Sequence, residues 1–227
     1  MCIRDSLNVY MNSITEQYAT FNISGPKTRN IIEKVFPEVN FSNEAFPFMT
    51  FQFHKYEDTP IRILRASFTG EMGYEIYVPS NQAVKIWEKI ISFGKEFGLM
   101  PYGTETMHLL RAEKGYIIVG QDTDGSITPL DLGLDWMIGK SKRDFLGKRS
   151  LIRSDTVRKD RKQLVGILPI NKNDRLEEGQ HIILDKEIKT PMPMLGHITS
   201  CYQSPTLGHN FALAVIKNGQ SLIGTKA

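Results

Sequence analysis

The run Phe68-Thr69-Gly70-Glu71-Met72-Gly73-Tyr74-Glu75-Ile76-Tyr77-Val78 decides how the chain is read. Two glycines supply a tight turn over 68–73, and Tyr74 to Val78 is an aromatic and apolar run of strand length. Side chains of a strand alternate between its faces, so Glu75 shares a face with Tyr77 and points away from Tyr74 and Ile76. If that face lines a cavity, Glu75 is a carboxylate set in an apolar wall. Such a group needs a partner, or it costs several kcal/mol or takes up a proton. The plainer alternative is a surface strand whose glutamate makes an exposed salt bridge.

Upstream, Ala19 to Ile23 alternates as a strand does, and Gly25-Pro26 follows with proline placed for a first helical position. Ile31, Ile32 and Val35 make the apolar face of that helix, which Pro37 ends. Phe48 to Phe53 reads as an aromatic strand, and Ile61, Ile63 and Leu64 mark another. Downstream, Ser80 is placed to cap a helix whose Val84, Trp87, Ile90, Ile91 and Phe97 recur at helical spacing. A second helix is expected from Thr104 to Lys114, stopped by Gly115. A short apolar strand over Tyr116–Val119 then leads into a polar loop with Asp122 and Asp124, read as loop caps. Asp144 to Leu151 has the look of a short capped helix.

Beyond it, Arg153 to Lys162 is charged and nearly free of apolar residues, a linker candidate. Short strand-like runs follow at Leu164–Leu168, His181–Leu184, Gly196–Ser200 and Phe211–Ile216, the pattern of a small all-β unit. The first six residues, Met1 to Ser6, show no period and read as a non-native start. The far end reads as stopping in mid-sheet, so the chain is expected to be truncated at both ends. The expected domains are therefore 7–155 and 160–227.

Composition narrows the function classes. The chain has 227 residues, 41% hydrophobic and 23% charged, which is globular in character. The net charge of +3 comes from 28 basic and 25 acidic residues, too even a balance for the basic stripe of a nucleic-acid binder. Cys2 and Cys201 form no framework, which favours a reducing, cytoplasmic setting. No apolar run approaches the ~20 residues of a membrane span. Phosphate-cradling glycine loops are absent, as are histidine or cysteine spacings that would bind zinc. A half-buried, unreactive thiol is the reading for Cys201.

A flat ligand edge with two adjacent N–H donors would satisfy both oxygens of Glu75, and a pterin ring has such an edge. Phe68 is placed to pack on its flat side. Here the sequence resembles a family. Thr69 to Ile76 is similar to the TGExGxE[IL] signature of folate-dependent aminomethyltransferase domains of the glycine-cleavage T-protein kind. Ile23-Ser24-Gly25-Pro26 resembles that family's QGP corner, Leu110 to Gly115 its LRxExG helix, and Thr128 to Leu134 its TPxExGL loop. Phe145-Leu146-Gly147-Lys148 resembles a helix start of the family. Gly196 to Ser200 and Ser204 to Gly208 resemble the GxVTSxxxSPxLG run of its C-terminal barrel. Within the family, the wording of 103–108 and 113–125 resembles the branch of heterotetrameric sarcosine oxidase alpha subunits. Met107 stands where T-proteins usually carry a folate-holding arginine.

The resemblance implies an α+β fold: antiparallel sheets flanked by helices, the aminomethyltransferase folate-binding domain, then a small C-terminal β-barrel. It implies tetrahydrofolate as cofactor, with Glu75 on the pterin edge, Phe68 beside the ring, and Tyr77 on the face of Glu75. Arg111 and Glu113 are expected to be structural. The implied activity is capture of the one-carbon unit of oxidised sarcosine, giving methylene-tetrahydrofolate and glycine. The family's catalytic aspartate has no counterpart before Ser13, so the chain alone is expected to be inactive. Flavin and NAD are expected in missing segments or in the partner subunits of a heterotetrameric oxidase. The alternatives are a stand-alone glycine-cleavage aminomethyltransferase and a non-catalytic folate-binding relative.

Overall fold

The computed structural model describes residues 8–183, 187 and 189–225. The expected non-native start at 1–6 lies outside them, as does Leu184. The chain divides into two compact units, one running to Gly103 and the other from Thr104.

The first unit is built on a four-stranded antiparallel sheet. Its strands are β1 (Tyr18–Ser24), β2 (Phe51–Tyr56), β3 (Thr59–Leu64) and β4 (Gly73–Pro79), in the order β1-β4-β3-β2. One face carries Ile23, Ile61, Ile63, Tyr74, Ile76 and Val78, all buried. Against them pack helix α1 (Thr28–Val35), through Ile31, Ile32 and Val35, and helix α2 (Ala83–Gly94), through Ile86 and Ile90. Phe36, Phe41 and Phe46 close this core, with Phe41 edge-on to Tyr74 at 5.3 Å between centroids.

Sequence and structure differ here in detail. The second strand starts at Phe51 rather than Phe48, because Met49 takes a left-handed φ of 62° and its N–H donates to the Arg65 carbonyl. Helix α1 starts at Thr28, not at Pro26: Gly25, at φ 133°, and Pro26 form the turn before it. Ser80 does not cap α2; its hydroxyl donates to the Glu16 carbonyl. The buried stripe of α2 is Ile86, Ile90 and Gly94, while Val84 is 70% exposed. Apolar residues on both flanks of that stripe made its phase ambiguous in the sequence.

The second unit has helix α3 (Thr104–Lys114), ended by left-handed Gly115 as expected, and a second antiparallel sheet. Its strands β5 (Lys162–Ile167), β6 (His181–Ile182), β7 (Gly196–Ser204) and β8 (His209–Lys217) lie in the order β5-β8-β7-β6. Ile198, Ala212, Ala214 and Ile216 are buried on one side, with Ala112, Phe211 and Leu213 in a second cluster. Tyr116–Val119 forms no strand. Its backbone instead serves buried charges, since the Tyr116 carbonyl accepts from Arg111 and the Ile118 N–H donates to Asp122. The stretch 144–151 yields only a 3₁₀ turn, Lys148–Ile152, with no side-chain cap. The charged stretch 153–162 is not a bare linker either, because Arg161 is buried within it. Two antiparallel sheets with few helices make this an α+β fold, as expected.

Candidate functional site

The turn of the signature is tied to the Gly25-Pro26 corner by the backbone, Gly25 N–H donating to the Met72 carbonyl at 2.9 Å. Gly70 takes φ 83°, a conformation glycine adopts without strain. Gly73 is required for a different reason: a Cβ there would lie 2.6 Å from the Ala66 carbonyl oxygen. The motif's glycines therefore fix where β4 enters the sheet, and with it which face Glu75 takes.

Glu75 stands on the face opposite the helices, half-buried, as strand alternation required. Its register partners are Asn22 on β1 and Leu64 on β3. The Tyr77 hydroxyl donates to Glu75 Oε2. Burial, and then this bond and the glutamate's charge, push the Tyr77 phenol up to about 12, so it holds its proton and stays a donor. The other oxygen, Oε1, has no hydrogen-bond partner among the described residues. Phe68 lies half-buried in the bend before Thr69 and makes no ring contact with Tyr77. The structure thus joins Glu75 to Tyr77 by a hydrogen bond, and no ring contact ties Phe68 to that pair.

The rest of the face was not read from sequence. Asn22 Oδ1 accepts from Ser24 Oγ at 2.5 Å and from Tyr102 Oη at 3.0 Å. Arg62, the register partner of Tyr77, donates to Tyr18 Oη at 2.9 Å and lies 4.4 Å over the Tyr18 ring. Phe51 and Phe53 extend the face outward, Phe51 lying 6.2 Å from the Tyr77 ring. Only the register of β1 on β4 brings Asn22 beside Glu75, and no local pattern encodes that pairing. The result is a polar centre of carboxylate, phenol and amide, with an aromatic flank. Its free groups fit a flat ligand that offers both N–H donors and an acceptor.

The second unit holds acids of another kind. Asp122 and Arg111 are fully buried and paired at 2.5 Å. A register irregularity between Ile198 and Ser200 turns both hydroxyls of Thr199 and Ser200 onto Asp122 Oδ1, at 2.5 and 2.6 Å. Burial pushes the Asp122 carboxyl up, but Ile118 N–H, the two hydroxyls and Arg111 outweigh it and hold it below the usual range. Asp122 is therefore a structural hub rather than a loop cap. Asp131 of the TPLDLGL stretch is likewise buried, accepting from Thr128 N–H at 2.8 Å and from Arg161 Nε at 2.9 Å. Glu113 accepts from Ser204 at 2.5 Å, so Arg111 and Glu113 are both structural, as expected. Cys201 is half-buried and its thiol is pushed up by burial, in keeping with an unreactive group. Among the described residues no helix is long and apolar enough to cross a membrane.

Fold and site together define a two-sheet α+β protein whose first sheet presents a carboxylate-centred face. The family model described as GCVT N-terminal domain matches residues 2–142, and that of the glycine cleavage T-protein C-terminal barrel domain matches 162–227. The chain belongs to the glycine cleavage T-protein family. Sarcosine oxidase subunit alpha of Corynebacterium sp. (strain P-1) is 49% identical over 96% of this chain, which spans 23% of that protein. An aminomethyltransferase of Thermoanaerobacter pseudethanolicus is 31% identical over 99% of the chain, which spans 59% of it. The crystal structure of the glycine cleavage system aminomethyltransferase T from Bartonella henselae superposes with a TM-score of 0.71. It covers 89% of this chain and 52% of its own, at 21% identity, which bears on the fold alone.

Proposed function

We propose that this chain is the folate-binding region of a sarcosine oxidase alpha subunit. In this reading it holds tetrahydrofolate while the one-carbon unit of oxidised sarcosine, presented as an imine, is transferred and glycine leaves. The observation that carries the reading is the half-satisfied carboxylate of Glu75. Tyr77 pins one oxygen, and the other has no partner among the described residues, on a face that also carries Asn22 and aromatic rings. Higher identity to the oxidase subunit than to the aminomethyltransferase favours the oxidase branch. In that setting, flavin, NAD and the other subunits of the oxidase belong to the rest of the assembly. Residues 7–155 serve as the folate-binding part and 160–227 as the barrel part.

Tetrahydrofolate, when bound, supplies the amine nitrogens that receive the one-carbon unit. The chain's own residues bind and orient. Glu75 accepts from the N–H edge of the pterin, and Tyr77, protonated across the working pH range, holds that carboxylate in place. Phe68 packs beside the ring, and the residues of this face orient it.

Calorimetric titration of the chain with tetrahydrofolate, beside Glu75→Ala, tests the reading. The expected result is saturable binding that the substitution weakens by ~1–3 kcal/mol, the cost of leaving a buried polar partner unpaired. A folded chain that takes up no tetrahydrofolate, or one indifferent to Glu75→Ala, overturns it.

A further inference from the structure

Asn22 and Glu75 are cross-strand partners, so their side chains leave the same face of the sheet side by side. They are not bonded to each other. The amide oxygen of Asn22 is occupied twice, by Ser24 Oγ and Tyr102 Oη. With its oxygen on these two hydroxyls, the amide turns its NH₂ group the other way. Among the described residues that NH₂ has no partner, and neither has Glu75 Oε1. The face therefore carries an open donor next to an open acceptor. The complement of such a pair is a lactam edge, an N–H beside a C=O on one flat ring. A carboxylate alone would accept any N–H edge; the donor beside it demands a carbonyl.

We propose that Asn22, positioned by Ser24 and Tyr102, is a specificity-determining residue that reads the 4-oxo group of a pterin whose N–H edge binds Glu75. This rests on the folate reading above and adds to it a requirement on the ring. Asn22 discriminates 2-amino-4-oxo pterins from 2,4-diamino ones. Ser24 and Tyr102 act through Asn22, by keeping its NH₂ group facing the ligand.

The experiment is a pair of calorimetric titrations on the same sample, one with tetrahydrofolate and one with its 4-amino-4-deoxy counterpart. The counterpart also lacks the ring N–H, so the wild-type preference alone does not isolate Asn22. The change in the ratio of the two affinities does, and a ratio from one sample does not depend on the fraction folded. Asn22→Ala is expected to weaken tetrahydrofolate at least fivefold and leave the 4-amino compound within twofold, shrinking the preference. Asn22→Asp replaces the donor by an acceptor and is expected to shift the ratio further toward the 4-amino compound. Tyr102→Phe frees the amide and is expected to move the ratio in the direction of Asn22→Ala, by less. If both Asn22 variants leave the ratio at its wild-type value while Glu75→Gln weakens tetrahydrofolate, the role of Asn22 is overturned and the folate reading stands. If the folded wild-type chain takes up no tetrahydrofolate, the folate reading falls and this inference with it.

Discussion

Glu75 and Asp122 are both carboxylates from signature stretches of the chain, and the structure gives them opposite surroundings. Asp122 is sealed: two hydroxyls, a backbone N–H and a guanidinium saturate it, and nothing of its side chain meets solvent. Glu75 is half-buried, held by one phenol, with a free oxygen and a free amide beside it. Satisfaction, more than acidity or burial, separates the two, and it is on this difference that the proposal of Glu75 as a ligand-binding acid rests.

The sharpest way to break this comparison is to remove the sealed acid. Asp122→Ala leaves the Arg111 cation buried without its counter-charge, and the expected cost is about 3–5 kcal/mol. Urea unfolding checks it, and a loss below 1 kcal/mol would put Asp122 in the same class as Glu75. Acid titration probes the same feature more gently. The folded-state pKa values of Asp122 and Asp131 are depressed. The stability they contribute is therefore full above their ordinary unfolded value of about 4 and is lost as pH falls through the lower folded one. Unfolding free energy should decline below about pH 4, and Asp122→Asn should flatten that limb while lowering stability at pH 7.

Gly73→Ala sharpens the comparison from the other side. The added methyl must displace the Ala66 backbone, at an expected cost of ~1–3 kcal/mol in the same assay. Because this glycine sets the entry of β4, tetrahydrofolate affinity should fall along with stability. Glu75→Gln is expected to change stability by no more than about 0.5 kcal/mol, since the group is only half-buried and only half-satisfied. Tyr74→Phe has the smallest expected effect. The Tyr74 hydroxyl is buried with no hydrogen-bond partner among the described residues, so its removal should be neutral or slightly stabilising. A large loss there would mean that the hydroxyl has a partner after all.

The elements of the fold were largely legible. β1, β4, α3, β5 and β8 follow from alternation, from glycine stops and from spacing, within a residue or two, whereas β7 runs four residues beyond the expected Ser200. Errors arose where a local signal competed with a distant one. Ser80 is a good cap by type, yet its hydroxyl goes to Glu16, 64 positions away in the chain. Tyr116 to Val119 has strand composition, yet its carbonyl and amide groups are claimed by Arg111 and Asp122. The candidate site was half legible. Alternation alone puts Glu75 and Tyr77 on one face. Asn22, Tyr102 and Arg62 reach that face through strand pairing and distant packing, which no window of sequence contains.

The Arg111 network has a consequence in time as well as in energy. It joins α3 to β7 across 89 positions of chain through Ser200, and Asp122 to Thr199 across 77. Closing loops this long costs entropy before the contacts repay it, so these bonds are expected to form late in folding. Interactions absent from a folding transition state slow unfolding without hastening folding. The buried guanidinium is in that sense a latch: cutting it with Asp122→Ala is expected to speed unfolding while the folding rate stays nearly the same, as stopped-flow unfolding and refolding would show.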